Sequence, residues 1–250
     1  MKNTAGASIS ETFGEVSTVS NTENAGLKSI HLLADLPDAE LESLTKACVW
    51  KRYAPHEQII DRQSDSRDIF FIVEGRARIA NYSLSGREIT LDELPFGAHF
   101  GELAAIDGYP RSASVVALGD CLLAMLSPDR FVKLCGDYPQ VALRVMGSLA
   151  GIVRSATDRI MDLSTLAANN RVQADLLRLA RANPDGDNQA SISPIPVHGD
   201  VASRVSTTRE TVARVLNDLA RQNLVKREKN KLVVLNVEEL EHMVEEVKGE

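Results

Sequence analysis

The sequence predicts an α+β fold in which a compact antiparallel β-barrel precedes a long helix and a small unit of two helices and a hairpin. Between residues 50 and 126, apolar and β-branched runs alternate with turn glycines about every ten residues, which is typical of a barrel or a jelly-roll-like sandwich. Residues 140–166 contain no proline, which indicates one long helix. A loop rich in Pro, Gly, Asn and Ser then marks a boundary before the last unit.

Local sequence patterns predict each helix and strand, taken here from the N-terminus onward. Residues 1–26 are rich in Ser, Thr, Asn and Glu without apolar periodicity and predict a disordered tail. Pro37 and Pro128 each predict the start of a helix, and residues 170–181 predict another. The predicted strands are the runs IFFIV, ARIANY, EITLDEL, SASVVAL and CLLAML. These elements divide the chain into a barrel domain at 27–138, a dimerisation helix at 139–166 and a C-terminal domain at 167–250.

Composition narrows the possible function classes. The net charge of -7, from 28 basic and 35 acidic residues, argues against a protein that coats nucleic acid with its whole surface but allows a local basic patch. The three cysteines include no close pair, so we expect buried thiols in a reducing compartment. No apolar run reaches the roughly 18 residues that cross a bilayer, and the N-terminus lacks a signal-peptide pattern. We therefore expect a soluble, cytoplasmic protein.

The stretch FGELAAIDGYPRSASVVA, residues 100–117, places Glu102 nine residues ahead of Arg111. An arbitrary pair of this kind usually forms a salt bridge. Here Gly101 allows backbone N–H groups to approach a ligand closely, and a guanidinium offers a planar fork of donors to an anionic oxygen pair. An ionised carboxylate only accepts hydrogen bonds, so Glu102 suits a sugar hydroxyl. The pair therefore fits a sugar phosphate.

This stretch resembles the phosphate-binding cassette of cyclic-nucleotide-binding domains, because F-G-E-L-A-x-x-x-G-x-P-R-x-A matches residues 100–113. The gap between the carboxylate and the guanidinium is one residue shorter than in the enteric activators of that family. The resemblance implies that the cassette binds the ribose 2′-hydroxyl and the cyclic phosphate: Glu102 for the ribose, Arg111 and Ser112 for the phosphate, and Gly101 and Leu103 through their backbone.

The resemblance leaves the base of the nucleotide open. It places Ala156 and Thr157 of the long helix beside the base, where Thr157 can hydrogen-bond an adenine amino group and Ala156 cannot. Ser112 can accept from the 2-amino group of a syn guanine. Cyclic AMP is the first expectation, and cyclic GMP or both nucleotides are the alternative. Because no Cys or His precedes Ile30, we expect no metal, haem or iron–sulfur cluster.

Apolar residues of the long helix recur at 3,4 spacing, which is typical of a two-stranded coiled coil. Arg159 would place a charge within this seam. One helix face packed against its own domain would show the same spacing, so dimerisation and intramolecular packing both remain open at this point. The seam residues are Ala142, Val145, Leu149, Ile152, Ala156 and Leu163.

Residues 198–235 carry a local basic excess, with eight Lys or Arg against four acids, which favours a nucleic-acid-binding face. Their apolar pattern predicts two short helices and a hairpin, and Thr208 is a candidate N-cap of the second helix. The exposed face of that helix carries Arg209, Glu210 and Arg214, residue types that read base edges in the major groove. A solvated helix with local ion pairs is the alternative.

The segment TTRETVARVL resembles the recognition helix of the catabolite activator (CRP/FNR) family of bacterial transcription regulators, and RQNLVKREKNKLVVL resembles its winged hairpin. Ser206 is a departure, because that turn position is often Gly in the family. The resemblance implies that Arg209, Glu210 and Arg214 read bases of TGTGA-like half-sites. It implies phosphate contacts from a second set: His198, Thr208, Thr211, Lys226, Lys229 and Lys231.

Together these resemblances cover residues 30–237 and imply a homodimeric, cyclic-nucleotide-gated transcription regulator with double-stranded DNA and RNA polymerase as partners. Two alternatives remain: a cyclic-nucleotide-binding module that regulates a protein partner, and a family member that nucleotide does not gate. An enzyme is not expected, because the five histidines form no metal-spacing or catalytic-triad signature.

Overall fold

The computed structural model describes residues 26–84 and 86–248, so the predicted N-terminal tail lies outside the described residues except for Gly26. A short 3-10 turn spans His31–Leu33. The helices are α1 (Asp38–Ala47), α2 (Glu102–Asp107), α3 (Pro128–Asp137), α4 (Pro139–Thr165), α5 (Ala168–Ala182), α6 (His198–Arg204), α7 (Arg209–Arg221) and α8 (Val237–Lys248). The strands are β1 (Val49–Tyr53), β2 (Gln58–Ile60), β3 (Ile69–Glu74), β4 (Ala77–Tyr82), β5 (Glu88–Leu94), β6 (His99–Phe100), β7 (Ser114–Ala117), β8 (Cys121–Leu126), β9 (Ala190–Ile192), β10 (Val225–Arg227) and β11 (Leu232–Val234).

Two four-stranded antiparallel sheets form the N-terminal domain, in the orders β1-β8-β3-β6 and β2-β7-β4-β5. One apolar core contains residues from both sheets, including Phe70 and Leu123 from the first and Val115 from the second. The predicted α+β class and jelly-roll-like arrangement are confirmed, with two sheets in the place of a closed barrel.

Strand β3, with the sequence IFFIVE, is buried on both faces, which explains why its apolar run is continuous and does not alternate with polar residues. Phe70 and Ile72 contact the core between the sheets. Ile69, Phe71 and Val73 face a second core that includes Leu44 and Phe131 and is covered by helices α1, α3 and the beginning of α4. The short strand β6, which leads into the cassette, pairs with this buried strand.

Helix α4 corrects the first half of the predicted coiled-coil seam. Val145 is only 4% exposed and belongs to the core of its own N-terminal domain, with Leu149 packed against that core. The alternative of intramolecular packing therefore holds for the first half of the helix. In the second half of the helix the predicted seam residues Ile152, Ala156 and Leu163 are exposed. A neighbouring row at 3,4 spacing, one residue later, is exposed as well: Leu143, Met146, Ala150, Val153, Thr157 and Ile160.

The C-terminal domain has its own core, built from α5 to α8 and a three-stranded sheet in the order β10-β11-β9. Its last helix, α8, buries Leu240 and Val244 in this core, so the acidic C-terminal segment closes the domain. No helix in the described part of the chain is long and apolar enough to cross a membrane.

Candidate nucleotide-binding and nucleic-acid-binding sites

The cassette begins where β6 turns into the short helix α2. Gly101 is the N-cap of this helix and has a left-handed φ of 87°, which L side chains rarely adopt. A Cβ atom at this position would lie 2.7 Å from Nη1 of Arg111 and 2.8 Å from the backbone carbonyl oxygen of Asp68. Both the conformation and the close approach therefore require glycine.

Arg111 is buried under the cassette, and its guanidinium links its own segment to Gly101 and to the loop that contains Ser66 and Asp68. Nη1 donates to the carbonyl of Gly101 at 3.0 Å, and Nη2 donates to the carbonyl of Asp68 at 2.8 Å. Nε and Nη2 both donate to the hydroxyl oxygen of Ser66, at 3.3 and 3.2 Å. Burial lowers the pKa of Arg111, while the charges of Asp68 and Glu102 act in the opposite direction.

The Nε and Nη2 edge of a guanidinium is the one that binds an oxygen pair bidentately. In this structure the Ser66 hydroxyl takes that edge, so an anionic ligand that bound the fork would replace Ser66. Neither Ser66 nor Asp68 is recognisable from the sequence, because they precede Arg111 by more than forty residues and belong to no motif.

Glu102 is also buried, with 6% of its surface exposed. Burial raises the pKa of its carboxyl group, and a backbone hydrogen bond and the charge of Arg111 offset this in part. No ion pair joins Glu102 to Arg111, both of which belong to the described residues. The salt-bridge interpretation therefore does not describe this pair. A buried carboxylate without a bound cation accepts hydrogen bonds readily, and a sugar hydroxyl can donate them.

The other predicted ligand residues are exposed. Leu103 points outward from α2, and Ser112 lies on the surface with its backbone carbonyl accepting from Nδ2 of Asn81 at 3.3 Å. Ala156 and Thr157 are exposed on α4. The Thr157 hydroxyl donates to the carbonyl of Val153 at 3.0 Å, which leaves its oxygen able to accept.

Helix α7 presents the predicted base-reading residues to solvent. Thr208 is confirmed as its N-cap, because its hydroxyl accepts from the backbone N–H of Thr211 at 3.3 Å. Arg209, Glu210 and Arg214 are exposed, and none of these described residues forms an ion pair within 4.0 Å. The local ion pairs of the alternative interpretation are therefore absent from these three side chains.

The turn between α6 and α7 accommodates Ser206 in place of the expected glycine. Ser206 adopts a left-handed φ of 53°, at a modest steric cost for a residue with a Cβ atom. His198 begins α6 and is half-buried. In the hairpin, Lys226 and Lys229 are exposed, whereas Lys231 donates to the hydroxyl of Ser191 at 3.1 Å and is partly buried.

Comparison with known proteins explains this combination of two sites. The family model described as Cyclic nucleotide-binding domain matches residues 50–138, and the model described as Crp-like helix-turn-helix domain matches residues 170–243. The chain belongs to the CRP/FNR family of bacterial transcription regulators. Proteins of the CRP/FNR family are regulators and not enzymes, and this chain carries the cyclic-nucleotide-binding domain and the DNA-binding domain of that family.

Two curated relatives cover most of the chain. It is 33% identical to the Cyclic AMP receptor protein of Thermus thermophilus over 177 residues. That match covers 70% of this chain and 79% of the relative. It is 27% identical to the cAMP-activated global transcriptional regulator CRP of Salmonella typhimurium over 199 residues. That match covers 79% of this chain and 94% of the relative.

Among solved structures, a CooA mutant from Carboxydothermus hydrogenoformans has the same fold with a TM-score of 0.72 and 19% identity. The match covers 81% of this chain and 90% of that one. No group of three or more His, Cys, Asp or Glu residues that could hold a metal ion occurs within residues 26–84 and 86–248.

Proposed function

We propose that this chain is a cytoplasmic, homodimeric transcription regulator that binds a cyclic purine nucleotide and then a palindromic operator with TGTGA-like half-sites. The observation that carries the proposal is the pairing of two sites in one chain. Glu102 and Arg111 are buried in a cassette but do not pair with each other. Arg209, Glu210 and Arg214 are exposed on α7 without ion pairs.

In the cassette, Glu102 accepts a hydrogen bond from the ribose 2′-hydroxyl, and Arg111 and Ser112 bind the cyclic phosphate. The backbone of Gly101 and Leu103 completes the contacts. The burial of Arg111 supports this role, because a charge-assisted hydrogen bond is strongest where water is excluded. The phosphate then takes the guanidinium edge that Ser66 holds in this structure.

The nucleotide is cyclic AMP, with cyclic GMP or both as the alternative. Relatives named for cyclic AMP support the first choice. Thr157 contributes a hydroxyl toward the base, whereas Ala156 offers none, and Ser112 remains able to accept from a guanine amino group. The exposure of Ala156 and Thr157 on α4 leaves both side chains available to a base.

On DNA, Arg209 and Arg214 contact guanine edges and Glu210 contacts a cytosine amino group. Contacts to phosphates set the position of the protein on the duplex: His198, Thr208, Thr211, Lys226, Lys229 and Lys231. RNA polymerase is the expected protein partner once the regulator is bound to its operator.

The dimer forms through the exposed stripe of α4 and spaces the two recognition helices about 34 Å apart, one turn of DNA. We divide the chain into a nucleotide-binding domain at 27–138, a dimerisation helix at 139–166 and a DNA-binding domain at 167–250. Nucleotide shifts the population toward the arrangement that fits two successive major grooves, and it does so by the difference in its affinity for the two states.

Calorimetric titration with cyclic AMP and cyclic GMP, repeated in the presence of an operator duplex, tests this proposal. We expect one nucleotide to bind more tightly when operator is present, because coupling between two ligands is reciprocal. Equal affinity of nucleotide-free and nucleotide-bound protein for the operator would overturn the gating. Nucleotide binding without binding to any palindromic duplex would favour a module that regulates a protein partner.

A further inference from the structure

Asn81 of β4 carries a buried amide oxygen that binds nothing in the described part of the chain. Its amide nitrogen Nδ2 donates to the backbone carbonyl of Ser112, within the cassette, at 3.3 Å. Because that carbonyl can only accept, the amide turns its nitrogen toward Ser112 and its oxygen away. Oδ1 is shielded from solvent and has no hydrogen-bond donor among residues 26–84 and 86–248. A buried acceptor of this kind is rare in folded proteins and requires a partner such as a bound ligand.

The side chain of Asn81 lies on the inner face of its sheet. Side chains alternate along a strand, and β4 pairs with β7 without a register shift. The irregular pairing with β5 inserts an extra residue into β5 and leaves the alternation along β4 unchanged. Ala77 and Ile79 pack in the core between the two sheets, and Asn81 is the next residue on that face. Its bond to Ser112 places it at the end of this core, beside the cassette.

Helix α4 passes close to this end of the sheet. Arg159 donates to the carbonyl of Thr90 on β5 at 2.7 Å, and Thr90 pairs with Ala80, the residue before Asn81. Ala156 lies three residues before Arg159, on the same side of the helix. Its methyl group is exposed and cannot form a hydrogen bond. The side of α4 that faces β5 therefore leaves space for a ligand but offers no polar contact from Ala156.

We propose that Asn81 is a base-reading residue of the nucleotide site: its Oδ1 accepts a hydrogen bond from the 6-amino group of adenine in bound cyclic AMP. This inference rests on the proposed function of the cassette. The amide supplies from the sheet the contact that Ala156 cannot supply from the helix. The bond from Nδ2 to Ser112 holds the amide in the orientation that this contact needs.

The direction of this hydrogen bond favours adenine over guanine. Adenine has an amino group with N–H donors at its 6-position, whereas guanine has a carbonyl oxygen there, which is an acceptor. Two acceptors that face each other in a buried site both stay without a partner, and this weakens binding. Nδ2 cannot turn toward guanine without losing its bond to Ser112. Asn81 therefore gives the site a preference for cyclic AMP that contacts to ribose and phosphate alone do not provide.

Calorimetry on the full-length chain with two nucleotides tests this role. Purine riboside 3′,5′-cyclic monophosphate is cyclic AMP without the 6-amino group, so the ratio of the two dissociation constants measures what that group contributes. We expect the wild-type protein to bind this analogue about tenfold more weakly than cyclic AMP, as for the loss of one hydrogen bond. Asn81→Leu should reduce the ratio to below about threefold. It should bind the analogue at least as tightly as wild type, because the analogue leaves Oδ1 of the wild-type residue unpaired.

Two further variants separate the contact from an effect on folding. Asn81→Asp keeps an acceptor at this position, so its preference for cyclic AMP over the analogue should remain about tenfold even where both bind more weakly. Gln58→Leu is the matched control, because it removes an exposed amide from β2 of the same sheet and should behave as wild type. Thermal unfolding reports the stability of each variant. If Asn81→Leu does not fold, the ratios of wild type and Asn81→Asp still decide the role: a ratio near one in either would overturn it.

The same titrations distinguish failure of this inference from failure of the proposed function. An unchanged ratio in Asn81→Leu, or an equal loss of affinity for both nucleotides, would overturn the role of Asn81 alone. Wild-type protein that binds cyclic GMP as tightly as cyclic AMP would also overturn it, since the 6-carbonyl of guanine has no proton to donate. Wild-type protein that binds no cyclic nucleotide would contradict the proposed function, and this inference with it.

Discussion

The guanidinium of Arg111 is buried and held in place by three groups of its own chain. Its N–H groups donate to the hydroxyl of Ser66 and to the carbonyls of Asp68 and Gly101. Burial therefore leaves none of these donors without a hydrogen bond, and the free-energy cost of an unpaired buried donor does not arise. The backbone at Gly101 approaches the guanidinium so closely that a side chain there would displace it. The geometry of the proposed phosphate site therefore depends on the absence of a side chain at Gly101.

Gly101→Ala should weaken cyclic nucleotide binding about tenfold or more, because a displaced Arg111 loses a charge-assisted hydrogen bond of about 1.5 to 3 kcal/mol. The left-handed backbone should also cost about 1 to 2 kcal/mol of folding stability. Calorimetry and thermal unfolding measure the two effects. Gly119→Ala is the control, because nothing lies within 4 Å of the added Cβ and its φ is not left-handed. Wild-type nucleotide affinity in Gly101→Ala would contradict this account.

At the scale of the element, helix α7 packs against its domain through one face and exposes the other face to solvent. Val212, Val215 and Leu219 are buried in the core of the C-terminal domain, and the N-cap Thr208 fixes where the helix begins. The opposite face holds Arg209 and Arg214 free of ion pairs. The helix is thus anchored by one side while the other side stays available for recognition.

Arg209→Ala should reduce the discrimination between a TGTGA palindrome and random DNA by about 1 to 3 kcal/mol, the worth of a lost bidentate contact to guanine. Competition binding at fixed salt measures this difference. Arg221→Ala is the control on the same helix, because it removes the same charge from a side chain that pairs with Asp218 at 3.2 Å. It should leave discrimination unchanged. Unchanged discrimination in Arg209→Ala would mean that this residue does not read bases.

At the scale of the whole molecule, α4 belongs to one domain at its beginning and presents an uncovered apolar stripe over the rest of its length. Val145 packs in the N-terminal core, whereas Val153 and Ile160 are 64% and 63% exposed. A contiguous apolar stripe at 3,4 spacing on one helix fits a second copy of the same helix. Arg159 donates to the carbonyl of Thr90 on β5 and so turns away from this stripe, and the charge expected in the seam is not there.

Val153→Asp should convert the proposed dimer to a monomer, because it buries an unpaired charge twice in the two-fold interface. Sedimentation equilibrium measures the mass, and affinity for a palindrome should fall together with it. Val132→Asp is the control, since Val132 is similarly exposed but lies on α3, outside the stripe. A dimeric Val153→Asp protein would contradict the proposed interface.

The sequence predicts most elements well and their tertiary partners poorly. The helix starts at Pro37 and Pro128 and the cap at Thr208 are confirmed, because these signals act within a few residues. The seam register is wrong at Val145, because 3,4 spacing is the same whether a face packs on its own domain or on another chain. Ser66 was missed for a related reason, since a hydroxyl in a loop carries no signal of a partner 45 residues away.

The sequence by itself determined the order of the domains, the cassette with its glycine, and the charged face of α7, because each depends on residue types at short, definite spacing. Only the tertiary structure decided which face of α4 remains uncovered and that Arg78, Arg87 and Arg159 converge on α6 and its turn. Those arginines come from distant parts of the chain; Arg87 and Arg159 bind backbone carbonyls, and Arg78 binds the carboxylate of Asp200. Every residue has a carbonyl, so the sequence contains no mark of where such a contact will form.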